Sequence, residues 1–193
     1  MLAHGGPGLK SGDALLIIDV QADFLPGGSL AVPNGDAVIG PLNDWIARFS
    51  EMGLPIFATL DWHPPDHCSF RGQGGAWPAH CVAGTPGARF GDGLALPAHV
   101  LGIGKATRRD VDAYSGFVGT ELHAELQRAG VRRLFVGGLA TDYCVLESVL
   151  DALRLGYEVV LLCTTIRAVD VRPGDGQRAI AAMVAAGAVA VEG

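Results

Sequence analysis

The stretch Gly137-Gly-Leu-Ala-Thr-Asp-Tyr-Cys144 places a cysteine where a buried strand gives way to a helical pattern. The apolar run 134–136 predicts the strand, and the helix is predicted over 142–155, with Thr141 or Asp142 as its N-cap. Free backbone N–H groups and the helix dipole favour an anion in a first turn and are expected to lower the pKa of a thiol there. Cys144 is therefore a candidate nucleophile, although many intracellular cysteines only fill a buried position.

A nucleophilic thiol needs a neighbouring group that takes its proton. Histidine is the usual base, but the histidines of this chain that could reach the site lie in one long loop. Asp19 ends the first predicted strand, where a buried carboxyl must be paired, hydrogen-bonded or protonated. Lys105 follows the third strand, and an ammonium there would oppose the rise in pKa that burial causes. Asp19 as a helix cap and Lys105 as a surface lysine are the simpler alternatives.

The segment 61–98 is rich in Gly, Pro and His and has no clear period, and a loop of this length in a compact domain is usually functional. In Asp61-Trp-His63, an extended backbone points the acidic and imidazole side chains the same way. Together with His80, and with His67 as a candidate fourth ligand, they predict a site of N and O donors. Such donors suit Zn²⁺, Fe²⁺ or Mn²⁺, and the sequence does not choose among these ions.

Two other uses of this loop remain open. The pairs His67-Cys68 and His80-Cys81 could form a structural zinc clip. Adjacent side chains of an extended segment point in opposite directions, however, and the spacing lacks the usual C-x₂₋₄-C form. A disulfide between Cys68 and Cys81 is even less expected in a reducing compartment.

The chemically capable residues are carried by an alternation of strands and helices. The strands are predicted at 14–20, 55–60, 99–104, 133–137, 158–162 and 188–191, and the helices at 36–52, 119–129, 142–155 and 174–186. This order predicts a three-layer α/β/α domain of Rossmann-like type with a mostly parallel six-stranded sheet. Ligands of such sheets bind outside the carboxyl ends of the strands, where the candidate residues are expected to meet: Asp19, Asp61, His63, Lys105 and Cys144.

Residues 1–12 are predicted to be a mobile leader before a single domain over 13–193. The run His4-Gly-Gly-Pro-Gly8 looks like the oxyanion-hole sequence of some α/β-hydrolases. It precedes every predicted strand, and no G-x-S-x-G elbow accompanies it, so we assign it to the leader.

Composition argues against several classes of function. The net charge is −6 and no dense basic block occurs, which argues against a nucleic-acid partner. No apolar run is long enough to span a membrane, and the start lacks the apolar core of a signal peptide. A cytoplasmic protein with its four cysteines reduced is therefore expected, with small molecules as partners. The sequence leaves open whether the protein is a monomer or a homo-oligomer.

Several motifs taken together resemble one branch of a known family, the nicotinamidases/pyrazinamidases of the isochorismatase-like cysteine hydrolases. The resemblance runs from about Ala14 to Val191. It rests on these segments: 19–24 with 26–30, 61–70, 77–85, Lys105 with 112–117, and 138–145.

This resemblance implies a metal-dependent amidase that hydrolyses nicotinamide to nicotinate and ammonia in NAD salvage, and pyrazinamide as well. It implies that Cys144 forms a thioester with the substrate and that Asp19 passes the thiol proton to the departing ammonia. Lys105 would keep Asp19 ionised. The backbone amides of Ala140 and Cys144 would form the oxyanion hole, with a cis peptide bond before Ala140.

The resemblance also implies one divalent metal ion that holds the pyridine nitrogen of the substrate. Its ligands would be Asp61, His63 and His80, with His67 as a candidate fourth. Phe24 and Trp77 would flank the substrate ring. Two residues depart from what the resemblance requires: Cys163, expected to be a packed bystander, and Tyr143, expected to affect only fine substrate preference.

Two alternative functions remain. A sister hydrolase of the family would act on another amide, a carbamoyl or a vinyl-ether substrate, but the predicted metal ligands argue against it. A binding or structural module whose zinc loop only holds the fold would leave Asp19 and Lys105 without a role.

Overall fold

The computed structural model describes residues 3–4 and 8–192. Over these residues the protein forms one seven-stranded sheet in the order β1-β7-β6-β5-β2-β3-β4, with parallel pairing between all neighbours. The strands are β1 (Ala3–His4), β2 (Asp13–Ile18), β3 (Ile56–Asp61), β4 (Leu101–Lys105), β5 (Arg133–Leu139), β6 (Glu158–Arg167) and β7 (Val189–Glu192). All six predicted strands are present, so the predicted fold is confirmed, and the two-residue β1 is an addition at the edge.

Among the described residues, four α-helices cover the two faces of the sheet: α1 (Ile39–Glu51), α2 (Leu122–Arg128), α3 (Leu146–Arg154) and α4 (Asp175–Ala185). Alternate residues of β2 enter different cores, as the two-residue period of a strand requires. Leu15 and Ile17 pack with the apolar side of α1, whereas Leu16 and Ile18 pack with the side that holds α2, α3 and α4. Burial on both faces explains why β2 has an almost continuous apolar sequence.

The amino-terminal segment joins the sheet edge, because Ala3–His4 pair with Val191 and Glu192 of β7. Five of the residues in the predicted leader, 1–2 and 5–7, lie outside the described residues, and with them most of the His4–Gly8 run. The mobility of residues 1–12 stays a prediction. Within the part of the chain that the structure describes, no helix has the length and apolar character needed to cross a membrane.

Candidate active site

Three charged side chains meet at the carboxyl ends of β2, β3 and β4, and all three are buried. Lys105 Nζ lies 3.0 Å from Asp19 Oδ2 and 2.5 Å from Asp61 Oδ1. It also donates a hydrogen bond of 3.1 Å to the carbonyl oxygen of Ala113. The β3–β4 register aligns Asp61 with Lys105, so the sheet itself fixes this ion pair. The ammonium thus serves two carboxylates, whereas the sequence suggested only its pairing with Asp19.

Cys144 lies at the same sheet edge, with its Sγ atom 3.5 Å from Lys105 Nζ. Oxygen atoms of Asp19 and Asp61 and this sulfur lie within 4.8 Å of one another. The cysteine belongs to a wide π-helical turn, 141–145, in which Val145 N–H bonds to the carbonyl oxygen of Ala140 at 3.1 Å. Turns of this type occur often at functional sites. The structure thus brings Cys144, Asp19 and Lys105 together, as the sequence predicted. The peptide bond before Ala140 is cis.

The predicted N-cap of this helix is wrong. Neither Thr141 nor Asp142 caps it; the turn begins after Ala140, and among the described residues no side chain forms a cap hydrogen bond there. The carboxylate of Asp142 instead accepts backbone hydrogen bonds from Val169 at 2.9 Å and Asp170 at 2.8 Å. It therefore ties the turn of Cys144 to the segment that follows β6.

Asp19 is held in an unusual backbone conformation, with φ of 47°, a region that Asp tolerates better than most residues. Its Oδ1 accepts a 2.6 Å hydrogen bond from the hydroxyl of Thr59, whose Oγ1 in turn accepts the backbone N–H of Asp19 at 3.2 Å. Its Oδ2 faces Lys105 but has no well-formed hydrogen bond to any described residue. One lone pair of the carboxylate therefore remains available beside the thiol.

Gly138 explains how β5 approaches the strand that carries Asp19. Its φ is 121°, and a Cβ atom at this position would lie 2.1 Å from the carbonyl oxygen of Ile18. Any side chain here would push apart the pair that Gly138 forms with Ile18, directly before Asp19. The second glycine of the Gly137-Gly138 pair therefore lets the two strands close on each other at the site.

Burial and the mutual charges of these groups set the pKa values of this centre. It raises the pKa of Asp19 to about 6, an effect that the Lys105 ammonium opposes. Burial also raises the pKa of the Cys144 thiol well above its usual value; Lys105 opposes this, and the carboxylates of Asp19 and Asp61 reinforce it. Burial alone would lower the pKa of Lys105, but the same two carboxylates raise it well above the ordinary range. The expectation that the helix start gives Cys144 a low pKa is wrong: the resting group is a thiol beside an ionisable carboxyl.

Asp61, His63 and His80 form a second buried cluster, in which one donor atom from each lies within 4.8 Å of the others. His63 Nδ1 lies 3.1 Å from the carbonyl oxygen of His80, and His80 Nδ1 lies 2.8 Å from that of Pro78. A carbonyl oxygen only accepts, so each Nδ1 carries the proton and each Nε2 keeps its lone pair. His80 Nε2 lies 4.0 Å from Asp61 Oδ2.

This donor set fits a divalent metal ion. Two imidazole nitrogens and a carboxylate oxygen are ligands of catalytic zinc sites, and backbone carbonyls that fix the tautomers are the usual outer support. Burial lowers the pKa of His63 to about 4, so its ring is neutral at neutral pH, as a ligand must be. Burial alone would raise the pKa of Asp61, but the Lys105 ammonium holds it below its ordinary value.

His67 is buried beside this cluster, with its ring centre 4.4 Å from that of His63. Its two nitrogens are already engaged: Nδ1 bonds to the hydroxyl of Ser69 at 2.8 Å, and Nε2 donates to the carbonyl oxygen of Val111 at 3.1 Å. In this arrangement His67 has no nitrogen to offer as the fourth ligand that the sequence allowed. Its contacts instead anchor the loop that carries His63.

A cleft that opens to solvent leads to the thiol. Phe24 and Trp77, which the resemblance places beside the substrate ring, line this cleft. Tyr143, expected from the sequence to affect only fine substrate preference, also lines the cleft. Sequence reasoning missed part of its wall, namely Leu30, Val32, Tyr114 and Val169. Trp77 Nε1 donates a 3.0 Å hydrogen bond to the hydroxyl of Tyr114, and the ring of Tyr143 packs edge-on against Trp77 at 5.2 Å. Tyr114 lies in the Asp112–Phe117 motif, which was the available signal for it.

The remaining cysteines do not form the alternative structures. All four cysteines are free, so the structure contains no Cys68–Cys81 disulfide. Among the described residues, the two clusters capable of holding a metal include neither Cys68 nor Cys81, as a zinc clip would require. Cys163 is half-buried on β6, with its Sγ 3.8 Å from the carbonyl oxygen of Leu161.

The fold and the site together define an α/β enzyme whose sheet edge carries a buried thiol, two carboxylates and an ammonium beside a cluster of histidines. Residues 13–192 match the Isochorismatase domain family. The chain therefore belongs to the isochorismatase family, and the predicted family is confirmed.

Within this family, the chain resembles nicotinamidases and pyrazinamidases over most of its length. The chain is 38% identical to a nicotinamidase of Escherichia coli (strain K12) over 196 residues, which cover 91% of this chain and 92% of the relative. The crystal structure of the pyrazinamidase of Pyrococcus horikoshii in complex with zinc superposes with a TM-score of 0.90 at 46% identity, covering 94% of this chain and 99% of that one. The structure of PnC1 from L. infantum in complex with nicotinate gives a TM-score of 0.86 at 38% identity, covering 94% and 93%.

Proposed function

We propose that this protein is a metal-dependent nicotinamidase that hydrolyses nicotinamide, and pyrazinamide as well, through a thioester on Cys144. One observation carries the proposal: a single cleft is lined both by Cys144 and by Asp61 and His80 of the metal-capable cluster. A substrate there can be held at its ring while its carboxamide reaches the sulfur. The similarity to nicotinamidases and to a zinc-bound pyrazinamidase supports this assignment.

Binding of the substrate would use both walls of the cleft. Phe24 and Trp77 would flank the pyridine ring, with Tyr114 holding the indole of Trp77 in place through its hydroxyl. Asp61, His63 and His80 would hold one divalent ion, Zn²⁺, Fe²⁺ or Mn²⁺, which when bound supplies a Lewis acid for the ring nitrogen.

The first half of the reaction forms the thioester. Asp19 takes the proton of the Cys144 thiol, and the sulfur attacks the carboxamide carbon. The oxyanion that develops is placed against the backbone N–H groups of Ala140 and Cys144. The C–N bond then breaks, and the proton on Asp19 passes to the leaving nitrogen, which departs as ammonia. Lys105 stabilises the ionised form of Asp19 before and after this transfer.

The second half releases the acid. A water molecule in the vacated place gives a proton to Asp19 while its oxygen attacks the thioester carbon. The C–S bond breaks as the second oxyanion collapses, and Asp19 returns the proton to the sulfur of Cys144. The products are nicotinic acid, which gives its proton to solvent and becomes nicotinate, and a regenerated thiol, so the cycle consumes one water and no other reactant.

The test is ammonia release from nicotinamide by the purified protein, loaded with Zn²⁺ and then treated with a chelator. We expect turnover with the metal and its loss on chelation. Cys144→Ala should lower kcat by roughly 10⁴-fold or more, because no other group can form the thioester. Cys163→Ala removes a thiol from the same protein outside the site and should leave kcat within about twofold.

Three results would contradict the proposal. Retained turnover in Cys144→Ala would exclude the thioester. Ammonia release from an N-carbamoyl compound but not from nicotinamide would favour the sister hydrolase. Absence of any amidase activity in the Zn²⁺-loaded wild type would favour a binding or structural module.

A further inference from the structure

The strands β2 and β3 separate at the edge where the site lies. Their register runs from Leu15–Ile56 to Ile17–Ala58 and ends there within the described residues. The neighbouring ladder between β3 and β4, by contrast, continues to the pair Asp61–Lys105. Asp61 therefore lies beyond the last residue of β3 that pairs with β2, and in the described part of the chain no β2 residue pairs with it.

The side chain of Gln21 fills this position. Its Oε1 accepts the backbone N–H of Asp61 at 2.8 Å, and its Nε2 donates to the carbonyl oxygen of the same residue at 2.8 Å. Nε2 also donates to the carbonyl oxygen of Ala88 at 2.9 Å. A primary amide offers the same donor and acceptor as a peptide group, so Gln21 replaces the missing strand partner of Asp61. The residue is fully buried, with 0% exposure.

We infer that Gln21 is a positioning residue that sets the Asp61 carboxylate between Lys105 and the two histidines. The inference rests on the proposed metal site. One Asp61 oxygen must face Lys105 while the other faces His80, and this requires a fixed Cα–Cβ direction at the strand end. The ladder with β4 holds one side of that backbone, and the amide of Gln21 holds the other.

A purely structural role would predict a different outcome. The three hydrogen bonds of Gln21 would then contribute to stability only, and metal binding would be indifferent to their loss. Groups that orient a metal ligand typically change metal affinity by 10- to 100-fold when they are removed. Metal affinity therefore separates the two roles, and it can be read without any substrate.

The experiment compares Gln21→Met with Asn43→Leu. Asn43 of α1 makes the same kind of reciprocal amide contact, donating to the carbonyl oxygen of Gly93 and accepting the N–H of Ala95, both at 2.8 Å, but its partners lie on an exposed loop and neither is a candidate metal ligand. Affinity for Zn²⁺ is measured on the folded full-length chain by competition with a chromophoric chelator. We expect Gln21→Met to weaken Zn²⁺ binding roughly 10- to 100-fold. Asn43→Leu should stay within about twofold of wild type.

If Gln21→Met does not fold, Gln21→Asn decides the question, because it keeps the amide but shortens its reach by one methylene; the same loss of Zn²⁺ affinity is expected. Zn²⁺ affinity equal to wild type in the folded variant overturns the role of Gln21 while leaving the proposed function intact. A wild type that binds no Zn²⁺ overturns the proposed metal site and the role of Gln21 with it.

Discussion

The two ends of strand β2 each carry a buried aspartate, and the two carboxylates are held in opposite ways. At the amino end, Asp13 accepts hydrogen bonds from Arg133 Nε at 2.8 Å and Nη2 at 2.7 Å, and from the backbone N–H of Lys10 at 2.7 Å. At the carboxyl end, Asp19 Oδ1 accepts the hydroxyl of Thr59, while Oδ2 faces Lys105 without a well-formed hydrogen bond among the described residues.

The difference distinguishes a carboxylate that holds a fold from one that is ready to accept a proton. The bidentate pair with Arg133 engages both oxygens of Asp13 in strong charge-assisted hydrogen bonds. Asp19 keeps a lone pair free, and burial brings its pKa to about 6. A general base works best when its pKa lies near the operating pH, so incomplete bonding at this end suits proton transfer.

Removing the negative charge at the carboxyl end of β2 should have the greatest effect on activity. Asp19→Asn keeps the shape of the side chain and abolishes its ability to take the thiol proton. We expect kcat to fall by roughly 10²- to 10⁴-fold, the usual contribution of a general base. Circular dichroism should show a folded chain. A kcat within tenfold of wild type would contradict the assigned base.

The same substitution at the amino end of β2 should lower stability and leave activity unchanged. Asp13→Asn leaves Arg133 without its full partner, and breaking a buried pair costs about 3 kcal/mol of unfolding free energy. Urea denaturation measures this loss, while kcat per folded molecule should stay within about twofold of wild type. A large loss of kcat in Asp13→Asn would mean that the two ends of β2 are not independent.

The sequence was sufficient for the strand order along the chain and for the edge where the chemistry gathers. Buried strands are recognised in the sequence as apolar runs. Because functional residues of parallel sheets gather at the carboxyl ends of the strands, Asp19, Lys105 and Cys144 could be predicted to meet. The pairing of Lys105 with Asp61 depends on the β3–β4 register, which no local pattern specifies.

What sequence reasoning missed depends on contacts between distant segments. The predicted downward shift of the Cys144 pKa was wrong. Burial raises this pKa and outweighs the local effect of a helix start, and burial depends on the whole fold. The spacing of the loop residues made His67 a candidate fourth ligand. In the structure its nitrogens are engaged by Ser69 and by Val111, a residue far along the chain. Gln21 and Tyr114 stand inside recognisable motifs, yet their partners could be identified only in three dimensions.

A pH profile of the wild type tests the role of Asp19 as a base without any substitution. The pKa of Asp19 is raised to about 6, so its protonated, inactive form persists up to that pH. Since the ionised form takes the thiol proton, kcat/KM should fall about tenfold per pH unit below this value and level off above it. Metal content is measured at each pH, so that loss of the ion is not mistaken for protonation. A flat profile between pH 5 and 7 with the metal retained would contradict the assignment.

The contribution of Asp19 to stability should change with pH in the opposite direction to its contribution to activity. The folded state binds the proton of Asp19 more tightly than an ordinary carboxyl of pKa 3.8 does. The contribution of Asp19 to stability is therefore present below pH 4 and is lost as pH rises towards 6, where activity increases. The difference in unfolding free energy between wild type and Asp19→Asn, measured across this window, checks the sign.

A smaller change is expected from loss of the hydrogen bond that the Thr59 hydroxyl donates to the carboxylate of Asp19. The Thr59 hydroxyl lowers the pKa of Asp19, and Thr59→Val removes it at nearly constant volume. A hydrogen bond worth about 1 kcal/mol corresponds to about 0.7 pH units, so the acid limb of kcat/KM should move upward by roughly that amount. Thr165→Val is the matched control, because its buried hydroxyl bonds to the carbonyl oxygen of Leu162 at 2.8 Å on β6. An unmoved limb in Thr59→Val, or an equal shift in Thr165→Val, would mean that another group sets the limb.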